Sequence, residues 1–149
     1  MIPRSLNWRT IVLTTACVLT AACSGGDSPS TSTRSIPPAP NPDLNASTVA
    51  GIDSDANGVR DDIDILLARN FGGSETDYVI ALVHSKSLQA ALLQPSEANA
   101  FAHVNTMTCA SDQMLTRLSE MTLATLDTPA RRKAYAKVFG GIELTDRGC

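Results

Sequence analysis

The sequence predicts an all-α fold, a small bundle of about four helices behind an acidic loop and a disordered N-terminal tether. Beyond residue 58, apolar residues recur three and four positions apart, which places them on one face of a helix. Glycine, proline and helix-capping residues divide this pattern into segments. No segment alternates apolar and polar residues as a half-buried strand does.

Residues 1–22 are predicted to be an export signal. After a basic start, the uncharged run Thr10–Ala22 is too short to span a bilayer as a helix. The segment Thr20–Cys23 resembles a bacterial lipobox, which implies cleavage before Cys23 and attachment of a lipid to its sulfur. Ser24 follows in place of Asp, so the resemblance implies an outer-membrane lipoprotein facing the periplasm or the exterior. The alternative is a plain secretory signal with an incidental cysteine.

Residues 23–50 are predicted to be a disordered linker that begins at the lipidated Cys23. The stretch is rich in Ser and Thr and contains five prolines, Pro29, Pro37, Pro38, Pro40 and Pro42. Because it has few apolar residues, it cannot bury enough surface to offset the entropy of ordering. Its prolines make it extended and semi-rigid. Residues 51–149 are then the one folded domain.

The acidic loop after residue 50 has the composition of a calcium site. Oxygen-bearing side chains alternate in its first half, and Gly58 follows, where the chain must turn sharply and a Cβ would obstruct. Val59 can add a backbone carbonyl, and two acids three residues apart share a face of the starting helix. Calcium takes six to eight oxygen ligands, about the number that this spacing supplies with water. The expected metal ligands are Asp53, Asp55, Asn57, Val59, Asp61 and Asp64.

The pattern Asp-x-Asp-x-Asn-Gly-x-x-Asp-x-x-Asp resembles the calcium loop of EF-hand proteins. Asp64 replaces the longer Glu that is usual at the last position, so we expect weak affinity. Arg60 replaces the apolar residue through which two such loops pair. Because no helix is predicted before it, the loop is more similar to the single loop–helix units of thrombospondin type 3 repeats and dockerins. The alternative is a solvated acidic turn that caps a helix.

Four helices are predicted from the apolar pattern and its stop signals. They cover about residues 59–70, 75–93, 97–123 and 129–139. Two Phe-Gly-Gly sequences end the first and the last, and Thr128 followed by Pro129 is a strong start for the last. We expect the third helix to bend near Ser111, and we expect its methionines to fill the core, with an adaptable binding surface as the alternative.

Two of the four cysteines remain in the folded domain after export and lipidation. Cys17 leaves with the signal and Cys23 carries the lipid, so Cys109 and Cys149 remain in an oxidising compartment, where such a pair usually forms a disulfide. The chain-entropy model gives about 4 kcal/mol for closing a loop of about 40 residues. The alternative is a reactive thiol, although neither cysteine has a neighbouring cue for a lowered pKa.

In its lipoprotein start and over its final hundred residues, the chain resembles uncharacterised bacterial lipoproteins that carry a thrombospondin type 3-like repeat. The resemblance rests on the lipobox, the single loop Gly-x-Asp-Ser-Asp-x-Asn-Gly-Val-Arg-Asp-Asp-Ile, the helices and the terminal Cys149. The segment Asp127–Tyr135 is similar to a Thr-x-x-Arg-x-x-Ala-Tyr element that recurs in these proteins. The resemblance implies a fold and a cell-envelope setting, with a membrane as partner through the lipid anchor, and it implies no activity.

The charge of the chain argues against nucleic acid as a partner. Loss of Arg4 and Arg9 with the signal reduces the 12 basic residues to 10 against 15 acidic ones, a net charge of −5. The last helix carries a basic run that is predicted to be a solvated face, namely Arg131, Arg132, Lys133 and Lys137. The alternative is that this run docks to acidic residues of an envelope protein, to lipid headgroups or to cell-wall anions.

Catalysis finds little support in the sequence. His84 and His103 fall on different predicted helices, and neither has an Asp or Glu at the spacing of a zinc pair. We expect both to be surface or partly buried side chains. The sequence therefore favours a structural or interaction module stabilised by one Ca²⁺ ion. The alternative is a periplasm-facing enzyme or enzyme inhibitor whose site is not visible in the sequence.

Overall fold

The computed structural model describes residues 34–108 and 110–141, and every regular element in these two ranges is an α-helix. This confirms the all-α prediction. The helices are α1 (Pro42–Ala46), α2 (Asp61–Phe71), α3 (Glu75–Leu93), α4 (Glu97–Thr108), α5 (Asp112–Thr125) and α6 (Pro129–Phe139). The predicted signal, the lipidation site Cys23 and the disulfide cysteines Cys109 and Cys149 lie outside the described residues.

The prediction of one long helix over residues 97–123 is wrong, because α4 and α5 are separate helices. Ser111 has an extended backbone and is the N-cap of α5, where its Oγ accepts from the backbone N–H of Met114 at 3.3 Å. Such a cap stabilises a new helix start. The apolar period continues on both sides of Ser111, so periodicity alone did not reveal the break.

The end of the predicted linker also differs from the expectation of disorder, because it forms α1. Asn41 caps this helix by accepting the backbone N–H groups of Asp43 and Leu44, both at 3.1 Å. Asn45 is buried, and its Oδ1 accepts the N–H of Ile52 at 2.9 Å. The folded part of the chain therefore begins before residue 51.

The core lies around α3, which packs against α2, α4, α5 and α6. The larger cluster of buried apolar side chains joins α2, α3 and α5, and a smaller one joins α3, α4 and α6. Met114 and Met121 of α5 are buried in the larger cluster, so the prediction that they fill the core is confirmed. Full burial of such a side chain is worth about 1.5–3 kcal/mol.

The start of α2 connects this core to the acidic loop. Val59 and Ile63 are almost fully buried, and both belong to the larger apolar cluster. The C-terminal end of the acidic loop is therefore anchored to the core through Val59. Within the described ranges, no helix has the combination of length and apolar character needed to cross a bilayer.

Candidate metal centre

The acidic loop closes on itself at the point where α2 begins. The backbone N–H of Asp61 donates to the carbonyl oxygen of Ile52 at 2.9 Å, which brackets the residues between them. Ala56 and Gly58 have positive φ angles of 56° and 90°. No atom lies within 4 Å of the position that a Cβ on Gly58 would take, so the expected obstruction is wrong. The left-handed backbone is the reason that glycine is favoured there.

Backbone N–H groups hold the carboxylates of the loop in place. Asp53 accepts from the N–H groups of Asn57 at 3.1 Å and Gly58 at 2.9 Å. Asp61 reaches back across the loop and accepts from the N–H of Ser54 at 2.9 Å. These bonds orient the side chains before any ligand is bound.

Three of the predicted ligands come together in the structure. Carboxylate oxygens of Asp53, Asp55 and Asp61 all lie within 4.8 Å of one another, and we call these three residues the carboxylate cluster. Within the described part of the chain, none of the ion pairs includes a member of this cluster. Two like charges 4 Å apart repel by about 1 kcal/mol in water and about 4 kcal/mol near a protein surface. A cation among these oxygens would remove that repulsion.

Asp64 is joined to the cluster through Asn57. The Nδ2 of Asn57 donates to Asp55 at 3.1 Å and to Asp64 at 2.6 Å, while its Oδ1 accepts from the N–H of Val59 at 2.8 Å. The side chain of Asp64 is 5% exposed, and its Oδ1 is buried without a hydrogen-bond partner. Burial and the negative charges of the nearby carboxylates raise the pKa of Asp64 to about 6. The hydrogen bond from Asn57 acts in the opposite direction but is outweighed.

These residues fit a hard divalent cation. The donor set offers oxygens, and several of them are anionic, as Ca²⁺ prefers. Among the residues that the structure describes, the Oδ1 of Asp64 has no hydrogen-bond partner, which is uncommon for a buried polar atom. The loop spacing correctly predicted the meeting of Asp53, Asp55 and Asp61. The roles of Asn57, Val59 and Asp64 as ligands remain predictions.

Arg60 lies between Val59 and Asp61 but faces a different environment. It is 1% exposed, and its guanidinium donates to both carboxylate oxygens of Asp62, at 2.9 and 2.6 Å. It also donates to the carbonyl oxygen of Thr125 at 3.0 Å. Burial by itself would raise the pKa of Asp62, but the hydrogen bonds and positive charge of Arg60 outweigh it and lower that pKa. Arg60 thus ties the start of α2 to the end of α5.

Arg131 completes this group on α6, and we call Arg60, Asp62, Asp127 and Arg131 the arginine network. Arg131 is fully buried, so the prediction of a solvated basic face is wrong for it. It pairs with Asp127 at 2.7 Å, which in turn lies 3.6 Å from Arg60. Arg131 also donates to the carbonyl oxygens of Asn45, Thr48 and Val49 and so holds the segment after α1.

The two histidines also occupy positions that the sequence did not predict. His84 and His103 are 0% and 1% exposed, and their ring centroids are 4.5 Å apart. Burial lowers the pKa of each to about 4, and for His84 the neighbouring His103 adds to the effect. Spacing along the sequence could not reveal this pair, because the packing of α3 against α4 creates it.

Comparison of the chain with protein-family models, with curated proteins and with solved structures found no match. The resemblance to thrombospondin type 3-like lipoproteins remains a prediction based on the sequence.

Proposed function

We propose that this protein is a calcium-binding lipoprotein of the bacterial cell envelope and that its helical domain is a structural or interaction module. The observation that carries the proposal is the carboxylate cluster, whose oxygens converge within 4.8 Å and which takes part in none of the ion pairs of the described residues. Asp64, which is joined to the cluster through Asn57, has a buried Oδ1 without a hydrogen-bond partner among the described residues and is a further candidate ligand. Bound Ca²⁺ would supply the missing positive charge.

The residues around the cluster explain how an ion would stabilise the fold. Asp53 and Asp55 belong to the loop, whereas Asp61 belongs to the first turn of α2. A ligand shared by the two elements fixes the entry of α2, whose Ile63 packs in the larger core cluster. Without the ion, mutual repulsion of the carboxylates favours opening of the loop. The proposed role is therefore structural.

The expected stabilisation is modest. A dissociation constant of about 0.1–1 mM is typical of extracellular calcium modules, and the short Asp64 in place of Glu favours this range. At a tenfold excess of Ca²⁺ over that constant, binding to the folded state adds about 1.4 kcal/mol to the free energy of unfolding.

Matched substitutions test the metal site. In Asp53→Asn and Asp55→Asn, the shift of melting temperature between excess Ca²⁺ and EDTA should shrink or vanish, because each loses an anionic ligand. Asp112→Asn removes an exposed carboxylate from the first turn of α5, away from the loop, and should keep the full shift. Equal shifts in all three variants and in the wild type would contradict the proposed site.

The envelope setting rests on Cys23. The wild type should appear in the outer-membrane fraction with a mass increased by the lipid. Cys23→Ala should instead lack that mass and leave the membrane fraction. A wild-type protein that remains soluble and unmodified after export would rule out the lipid anchor.

The disulfide between Cys109 and Cys149 is tested by thiol titration of denatured, unreduced protein. The proposal predicts no free thiol from these two residues, whereas two free thiols would refute the bond.

A pulldown from envelope extract with and without Ca²⁺ tests whether the domain is an interaction module. A partner retained only with Ca²⁺, and lost in Asp55→Asn, would support an interaction module over an enzyme.

A further inference from the structure

A cavity of about 450 Å³ lies between α4 and α6. Its walls are mainly apolar and include Val104 and Met107 of α4 and Tyr135, Ala136 and Phe139 of α6. Ala136 is exposed and the other four side chains are half-buried, so apolar surface of both helices remains in contact with water. Covering this surface with further apolar groups is favourable, because it removes apolar area from water.

The chain leaves α6 at one edge of this cavity. Helix α6 ends at Phe139, and Gly140, its C-cap, is also part of the cavity wall. The next residue, Gly141, lines a neighbouring cavity together with Glu97 and Phe101 of α4. The described part of the chain therefore ends beside the first half of α4.

The proposed disulfide determines where the chain must go next. Cys109 directly follows Thr108, the last residue of α4, and it is the proposed partner of Cys149. Helix α4 has 12 residues and a length of about 18 Å. Cys149 is eight residues beyond Gly141, and an extended chain of that length spans at most about 29 Å. A bonded Cys149 therefore brings residues 142–148 back along most of α4.

The direct path along α4 crosses the cavity. Phe101, Val104 and Thr108 are spaced three and four residues apart, so they lie on one face of α4. Phe101 lines the cavity beside Gly141, and Val104 lines the cavity between α4 and α6. A chain that follows this face from Gly141 to Cys109 thus passes over the apolar walls.

The sequence of this segment suits an apolar surface. Residues 142–145 read Ile-Glu-Leu-Thr. Because successive side chains of an extended chain point to opposite sides, Ile142 and Leu144 would share one side. Glu143 and Thr145 would share the other. Two neighbouring apolar side chains can therefore face the cavity while the polar ones face water.

We propose that residues 142–148 cover the cavity between α4 and α6 as an extended segment, with Ile142 and Leu144 against its apolar walls. Because the segment is joined to α6 and, through the proposed disulfide, to α4, its effective concentration at the cavity is in the millimolar range. A separate protein or a second copy of the chain would have to displace it. The path of the segment rests on the disulfide of the proposed function, and the inference does not depend on the calcium site.

Methyl NMR of the full chain, purified without reductant, tests the contact. Nuclear Overhauser effects are expected from the methyl groups of Ile142 and Leu144 to those of Val104 and Met107. A sample that mixes labelled with unlabelled chains should show that these effects arise within one chain. Their absence, or their appearance only between two chains, would overturn the proposal.

Two matched pairs of substitutions locate the contact. Leu144→Asp should remove the Overhauser effects between the segment and Met107, whereas Thr145→Asp adds the same charge on the side that faces water and should keep them. Ala136→Asp places a carboxylate in the cavity and should also remove them. Ala130→Asp, at an exposed position of α6 outside the cavity wall, should not. Unchanged effects in Leu144→Asp or in Ala136→Asp would contradict the proposed contact.

Thiol titration of the same samples separates this inference from the disulfide. Two free thiols from Cys109 and Cys149, with the methyl contacts present, would refute the bond and support the covered cavity. No free thiol and no methyl contacts would support the bond and refute the covered cavity.

Discussion

Asp62 and Asp64 lie two residues apart in the first turn of α2, yet their pKa values move in opposite directions. The pKa of Asp62 is lowered, because the hydrogen bonds and charge of Arg60 outweigh the effect of burial. The pKa of Asp64 is raised to about 6 by burial, with further contributions from the carboxylates of the loop. The two sides of this one helix turn therefore face different electrostatic environments.

The difference lies in the source of the compensating charge. The arginine network contains two arginines and two aspartates, and its cations come from the chain itself. The carboxylate cluster contains only acids, and none of the ion pairs among the described residues includes one of them. We propose that a cation from solution supplies its compensating charge. The acids near the start of α2 would then serve two purposes, one within the fold and one toward that cation.

The largest effect should follow from breaking the arginine network. Arg131→Ala removes a buried cation and the donor to three carbonyl oxygens, and we expect the free energy of unfolding to fall by about 3–5 kcal/mol. An exposed residue two positions further along α6 provides the control, since Lys133→Ala should change stability by less than about 0.5 kcal/mol. Urea unfolding in EDTA and in Ca²⁺ measures both. If Arg131→Ala is as stable as Lys133→Ala, the network is unimportant.

The buried histidines would become positively charged on protonation, and burial opposes this charge. Burial lowers the pKa of each histidine from 6.5 to about 4. The contribution of each neutral ring to the free energy of unfolding is therefore fully present above pH 6.5 and is lost as the pH falls toward 4. The loss is at most about 3 kcal/mol per histidine. NMR titration should find both rings neutral at pH 5.5 in the folded protein. The same rings should titrate near 6.5 in concentrated urea, and a folded-state value near 6.5 would contradict their burial.

A smaller effect is expected at Gly51, where the linker meets the arginine network. Its φ of 68° disfavours other residues, and an added Cβ would lie 2.5 Å from Asn45 Oδ1 and 2.8 Å from a guanidinium nitrogen of Arg131. Gly51→Ala should lower the free energy of unfolding by about 1–3 kcal/mol. Gly73→Ala is the matched control, because its Cβ would meet nothing within 4 Å. Equal stability of the two variants would show that the segment after α1 is not tightly held.

Local signals in the sequence predicted much of this fold. The apolar stripe of α2 and the caps of α3 and α6 lie where the sequence placed them, because capping and periodicity act over a few residues. The convergence of Asp53, Asp55 and Asp61 followed from their spacing for the same reason.

Features made by distant residues could not be predicted in this way. Arg131 binds carbonyl groups more than 80 residues away, so neither its burial nor the order of the segment after α1 leaves a local pattern. The pairing of His84 with His103 likewise depends on how α3 packs against α4. Composition suggested disorder before residue 51, because it reports apolar content and cannot report hydrogen bonds to a distant arginine.

Calorimetric titration of the chelator-treated protein with Ca²⁺ tests the central claim most directly. The account predicts one site with a dissociation constant of about 0.1–1 mM, and the binding heat should be lost in Asp55→Asn and kept in Asp112→Asn. No heat of binding at millimolar Ca²⁺ in the wild type would contradict the proposal that the carboxylate cluster takes its compensating charge from this ion.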